Sequence, residues 1–448
     1  MTEEKKSQIN SIGRLERLPF TLMHTEFLLL IMGGEWVETM MLLGNGVIAA
    51  LLAKTTSLAI AVTAVTTSFF LGETVGSILF GRLSDLKGRR FVFLYDLLIF
   101  GIASIIAGFM NNIYAIASFI FISGIGVGGE FPVVDAYSSE MMPGKLRGRG
   151  VALVYTLAVT SAPVIAYLSY YSSGFGYYSW RIPLWFMGAS AIVVWALRTK
   201  LDESPRWLES KGKFEEANKI VEKWENYAEK KYGKLPQAPL IDSGETKSHF
   251  KELFSKDLRK RTIMMLIFQF FQSGIFYGFV SLAPELLLAK GISLVNTLFF
   301  TMIIYTGFIV GSIFNIFIID KISRKYGIIL SAIVAGVLGT IFALVDSNLL
   351  TVILGFLVAF TLWNFSNFFH TYQVEIFPTR VRSSGAGLVY SVSRFSTSIL
   401  VLLIAAFFLP HGLLATFGII WMFIAIVGLD IGILGPSTTG KKLEEISK

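Results

Sequence analysis

Ionisable side chains fall inside long apolar runs of this 448-residue chain, among them Glu35, Glu38, Glu73, Asp96, Glu130, Asp135 and Arg394, with Asp430 near the end of the last run. Burying such a group at the centre of an apolar helix costs roughly 2.5–3.5 kcal/mol on insertion scales, so each is a candidate for a working role. Counted at about 1.5 Å per residue from the ends of their runs, Glu35, Glu38 and Arg394 lie deepest, roughly 12–17 Å in. Glu73, Asp96, Glu130 and Asp135 lie nearer one end, and Asp430 near the end of the last run. Glu35 and Glu38 are three residues apart and share a helical face, where proximity suits one of them to carry a proton. Arg394 is a permanent charge that either forks onto a substrate carboxylate or pairs with Glu35 or Glu38. Uncharged polar groups add a second set. Gln269 and Gln272 repeat the interval of three, and Trp363, Asn364, Asn367, His370 and Thr371 follow helical spacing, so with Glu130 they are candidates to line a binding cavity. Tyr155 and Tyr277 are weaker cavity candidates, since isolated tyrosines in spans are more often packing residues. With no cysteine and four scattered histidines, thiolate metal sites and iron–sulfur clusters are excluded, and no metal, cofactor or enzyme activity is expected.

The elements that position these groups follow from composition. Hydrophobic residues make up 54% of the chain and charged ones 16%, with a mean hydropathy of +0.64, against about 25% charged residues in soluble domains. Twelve apolar runs are long enough to span a bilayer: 27–52, 57–80, 91–109, 113–139, 150–171, 181–198, 262–287, 295–319, 328–345, 349–374, 385–409 and 411–434. The expected fold is therefore an all-α integral membrane protein of twelve helices in two six-helix bundles. The net charge of +8 reports topology rather than nucleic-acid binding, because 35 of the 39 Lys and Arg residues fall in segments that alternate to one side. Basic residues are retained in the cytoplasm, so a multi-pass protein of the cell membrane with both termini cytoplasmic is expected, without a cleavable leader. The polar stretch 199–261 separates a bundle at 1–198 from one at 262–448. Within it, 213–232 places Phe214, Ala217, Ile220, Val221 and Trp224 on one helical face, as in a docked surface helix.

The halves repeat. Asp85, Arg89 and Arg90 recur as Asp320, Arg324 and Lys325, and Glu140, Pro143 and Arg147 recur as Glu375, Pro378 and Arg382, each pair 235 residues apart. Parallel repeats of this kind occur in secondary transporters, with the substrate site at the repeat interface. Asp85, at a helix end, is placed to accept hydrogen bonds from a neighbouring helix N-terminus, and Arg89 and Arg147 to pair with Glu140 and its repeat mate. Gly124-x-Gly-x-Gly-Gly129 lies inside an apolar run with no preceding strand. It therefore reads as a close-packing face, like Gly72 and Gly76, and not as a dinucleotide loop.

These residues resemble the major facilitator superfamily, and most closely its sugar porter branch and the related metabolite and organic-acid proton symporters. The resemblance spans nearly the whole chain and rests on Gly81–Arg90, on Gly124–Glu130 followed by Glu140–Arg149, on Asp202-Glu-Ser-Pro-Arg-Trp-Leu208 and on 436–445. It implies alternating access, with Asp85, Arg89, Arg90, Glu140, Arg147, Asp320, Arg324, Glu375, Arg382, Glu203 and Arg206 in charge networks that close the cytoplasmic gate. Relatives handling organic acids carry an Arg in the eleventh helix, where Arg394 stands here. Several departures weaken a sugar as substrate: Ile120 replaces an Arg, Ser437 a Glu, and the tenth helix lacks Gly-Pro-x-x-Pro-Trp. The expectation is a monomeric transporter of a small organic acid anion with proton symport. A sugar–proton symporter or passive sugar facilitator is the alternative.

Overall fold

The computed structural model describes residues 11–143, 153–238, 250–256, 258–319, 321–377 and 381–437. Arg147 and Asp320 lie outside these residues, as do the side chains of Arg382 and Asp135. The described residues hold twelve helical spans: α1 Leu22–Leu52, α2 Leu58–Lys87, α3 Arg89–Phe109, α4 Ile113–Val127 with Glu130–Met141, α5 Leu153–Ser172 and α6 Arg181–Arg198, then α7 Arg259–Val280, α8 Leu294–Ile318, α9 Arg324–Leu344, α10 Asn348–Ile376, α11 Arg382–Leu403 and α12 Leu413–Leu434. Ten of them are long and apolar enough to cross a membrane, and the first part of α4 is a shorter apolar helix.

Local chemistry sets several boundaries. The Ser57, Asn112 and Ser293 side chains accept N-terminal backbone N–H groups of α2, α4 and α8. Gly88, at φ +107°, makes the tight turn between α2 and α3, a conformation open to glycine but strained for other residues. The run at 113–139 is broken at Gly128 and Gly129. Among the described residues, two helices contain π-helical turns, Thr63–Thr67 in α2 and Ile404–Phe408 extending α11.

Packing repeats along with the sequence. α2 packs on α4, α3 on α6 and α1 on α5 in the first half; α8 on α10, α9 on α12 and α7 on α11 in the second. The halves meet where α2 packs on α11 and α5 on α8. Glycines set the α2–α4 spacing. A Cβ on Gly72 would lie 2.0 Å from the Phe121 carbonyl oxygen, and one on Gly124 2.1 Å from that of Phe69. Between α6 and α7, the helix Phe214–Tyr232 buries Ala217, Val221, Trp224 and Ala228, while Phe214 and Ile220 are only half-buried. It packs on the short helices Ser11–Glu16 and Pro205–Ser210.

Candidate functional site

One buried ion pair lies between the halves. Arg394 on α11 places Nε 2.8 Å from Oε1 of Glu73 on α2, with both side chains nearly inaccessible (5% and 0% exposed). It also donates to the hydroxyls of Tyr277 and Tyr390, and the Tyr390 hydroxyl lies 3.3 Å from the same Glu73 oxygen. The Tyr390, Tyr277 and Phe70 rings surround the guanidinium at 4.3, 5.3 and 6.0 Å. This corrects the expected pairing: the carboxylate facing Arg394 is Glu73, not Glu35 or Glu38; Tyr277, one of the weaker cavity candidates, accepts from the guanidinium.

A second cluster lies wholly within the first half. Glu38 of α1, Asp96 of α3 and Glu130 of α4 are fully buried, with carboxyl oxygens within 4.8 Å of one another. Arg198, the last residue of α6, is also fully buried and donates to both oxygens of Glu130, one of them at 2.9 Å. Its remaining N–H groups reach the carbonyls of Leu30, Ile31 and Phe93. Gly34 makes room, because a Cβ there would lie 1.8 Å from an Arg198 nitrogen. Two expectations change. Arg198, counted with the basic residues of the cytoplasmic side although it ends the run 181–198, belongs to a buried ion pair, and Glu130, read as a substrate contact, has both oxygens engaged by that arginine. Both carboxyl oxygens of Glu38 and Oδ2 of Asp96 have no hydrogen-bond partner among the described residues. Glu35 is buried one turn before Glu38.

The amides form a third group beside Arg394. Gln269 donates to Gln373, and Gln272 donates to Gln269 Oε1 at 2.6 Å and to Ser393 Oγ at 2.9 Å. Asn364 accepts from Asn315 at 3.1 Å. The Trp363 ring lies tilted at 49° against Phe308 with centroids 5.6 Å apart, its Nε1 without a hydrogen-bond partner among the described residues, and Asn367 is half-buried. His370 is exposed.

The repeated loops build matched polar junctions. Arg89 pairs with Glu140 at 3.2 Å and Arg324 with Glu375 at 3.3 Å. Arg90 donates to the Thr199 carbonyl after α6, and Lys325 to those of Gly432 and Gly435 at the end of α12. Glu203, not Asp85, takes the helix N-terminus: its Oε1 accepts the backbone N–H groups of Arg89 at 2.9 Å and Arg90 at 3.3 Å. Burial pushes the Glu203 carboxyl up from its ordinary value, against the backbone N–H groups that favour its charged form. Asp85 is exposed and pairs with Arg89 at 2.8 Å, while Arg206 reaches Glu16.

Two six-helix halves related by a parallel repeat, meeting at a seam that holds a buried ion pair, define a transporter of the major facilitator superfamily. The chain belongs to the Sugar (and other) transporter family, whose sequence profile matches residues 39–448. It is 28% identical to the putative metabolite transport protein YyaJ of Bacillus subtilis, over 97% of both chains. It is also 28% identical to the niacin transporter NiaP of Acinetobacter baylyi, over 97% of this chain and 99% of that one. A partially occluded, inward-open structure of the Escherichia coli xylose transporter XylE superimposes with a TM-score of 0.73, covering 94% of this chain and all of that one at 18% identity, which shows the shared fold.

Proposed function

We propose that this transporter is a proton-coupled symporter of a small organic acid, carried as its anion through the seam between the halves by alternating access. Arg394 carries this reading. Its guanidinium is the permanent charge at the seam, it is ringed by Phe70, Tyr277 and Tyr390, and its planar fork matches a carboxylate. Glu73 already occupies one edge as a resident carboxylate, so a substrate carboxylate competes for the same donors. Niacin, the named cargo of one relative, is a pyridine carboxylic acid of that chemistry. Protons enter through the acids of α1, with Glu38 as the carrier. Segments 1–198 and 262–448 rock as two units joined by 199–261, and the Arg89–Glu140 and Arg324–Glu375 junctions stiffen their cytoplasmic ends. The Lys and Arg asymmetry supports a cell-membrane protein with both termini cytoplasmic.

The Gln269, Gln272, Gln373 and Asn364 amides favour a second reading, a sugar symporter or facilitator, because amides bind hydroxyl groups from both donor and acceptor sides. Proteoliposomes challenged with carboxylates and with neutral sugars distinguish the two. The proposal expects carboxylate-induced acidification of the lumen that Glu38→Gln abolishes. Sugar uptake without a carboxylate response would refute it.

A further inference from the structure

We infer that Glu38, Asp96 and Glu130 form a two-proton site, in which Arg198 balances Glu130 and the other two carboxyl groups are held neutral. Three carboxyl groups converge on one guanidinium in a fully enclosed space. Arg198 spends one N–H of each terminal nitrogen, Nη1 and Nη2, on Glu130 and the rest on backbone carbonyls. It has no donor left for Glu38 or Asp96: both oxygens of Glu38 and Oδ2 of Asp96 have no hydrogen-bond partner among the described residues, and Asp96 Oδ1 accepts only the backbone N–H of its neighbour Leu97. An ionised carboxylate buried without a counter-charge or donors is far more costly than a neutral one. Glu35, one turn earlier on α1 and equally buried, brings no positive charge to Glu38.

The fold itself does not require these groups. The repeat offset of 235 residues carries Glu38, Asp96, Glu130 and Arg198 onto Ser273, Ser331, Phe365 and Ile433 in the second half, where the same helix pairs pack without charge. The cluster is an addition to one half of a symmetric scaffold. Its stoichiometric consequence rests on the symport reading above: two protons moving with a monocarboxylate anion carry one net positive charge per cycle, whereas one proton would carry none.

Infrared spectroscopy of the purified protein at pH 7.5 tests the site without any substrate, because a protonated carboxyl C=O absorbs apart from carboxylates. Glu38→Gln and Asp96→Asn are each expected to remove the absorbance of one carboxylic acid, and Glu130→Gln none. If Glu38→Gln, in a monodisperse preparation, leaves that absorbance unchanged, the group is ionised and the inference fails. A sodium-dependent shift of the carboxylate bands would then identify a bound cation instead. Wild-type proteoliposomes with nicotinate as probe read the stoichiometry. Equilibrium accumulation is expected to change hundredfold per pH unit and tenfold per about 59 mV of membrane potential. A tenfold pH response with no potential dependence would overturn two-proton coupling while leaving symport intact. Absence of nicotinate transport would count against the organic-acid reading and leave the infrared result to decide the site.

Discussion

Replacing Glu73 by Gln tests whether the Arg394 pair holds the halves together. Both side chains are almost wholly inaccessible, so solvent screens the pair little, and Gln keeps the volume while removing the charge. Taking one partner from a buried ion pair costs about 3–5 kcal/mol, because the other charge stays behind uncompensated. The Tyr277 and Tyr390 hydroxyls still accept from Arg394, so the lower end, about 3 kcal/mol, is the expectation. Because the pair joins α2 to α11, much of that energy falls on the state in which these helices touch, and about two orders of magnitude in the opening equilibrium follow. The natural sequence has no cysteine, so a single Ser281→Cys reports without background. Ser281 is fully buried, and its carbonyl oxygen would lie 1.9 Å from a Cβ on Gly46 of the other half. Maleimide labelling of that cysteine should accelerate about a hundredfold in Glu73→Gln and return to within about fivefold of the parent when Arg394→Gln is added. Equal labelling with and without Glu73 would refute the idea that this pair fastens the seam.

Three further outcomes are expected. Gly124→Ala forces a methyl group against the Phe69 carbonyl at 2.1 Å, so it should cost about 3 kcal/mol or more in detergent unfolding; Gly387→Ala, with open space around it, should be near neutral, and equal effects would count against backbone-limited packing. Glu203→Gln should weaken the start of α3 by about 1 kcal/mol and speed hydrogen exchange at the Arg89 and Arg90 amides about fivefold, while unchanged exchange would remove Glu203 from that role. Burial pushes the Glu225 carboxyl up, but Arg14 and Arg17 outweigh it and hold it below its ordinary value. Its attachment of the N-terminal segment is therefore complete above the ordinary carboxylate range and lost as pH falls through the depressed value. Hydrogen exchange over Ser11–Glu16 should rise in acid, a response that Glu225→Gln should lack.

The spans and their repeat were legible because hydropathy and the 235-residue offset are local properties of the chain. Pairing of the buried charges was not. Ending the second apolar run at residue 80 placed Glu73 close to one face. In the structure α2 continues through the polar Gly81–Lys87 segment as helix, which sets Glu73 about 21 Å from its end and Arg394 about 18 Å from the start of α11. The two groups thus lie at matching depth. Arg198 was hidden by its position at the edge of a basic segment, where positive-inside counting assigns it to water. The one local signal for its burial was Gly33-Gly34 on α1, and that becomes meaningful only once α6 is known to lie against it. Glu203 was recognised as part of a motif, but its use as the acceptor for α3 depends on a contact across 114 residues.

The close glycine contacts between α2 and α4 make these two helices behave as a single lever. A Cβ on Gly128 would lie 2.3 Å from the carbonyl oxygen of Glu73 itself, and Glu130 follows two residues later. The backbone that carries the seam carboxylate therefore bears directly on the backbone that carries the acid cluster. A proton-dependent displacement of Glu130 and Arg198 by a few tenths of an ångström has no soft side chain at this crossing to absorb it. It would reach the seam as movement of Glu73 against Arg394, a mechanical transmission with two backbones as its only parts.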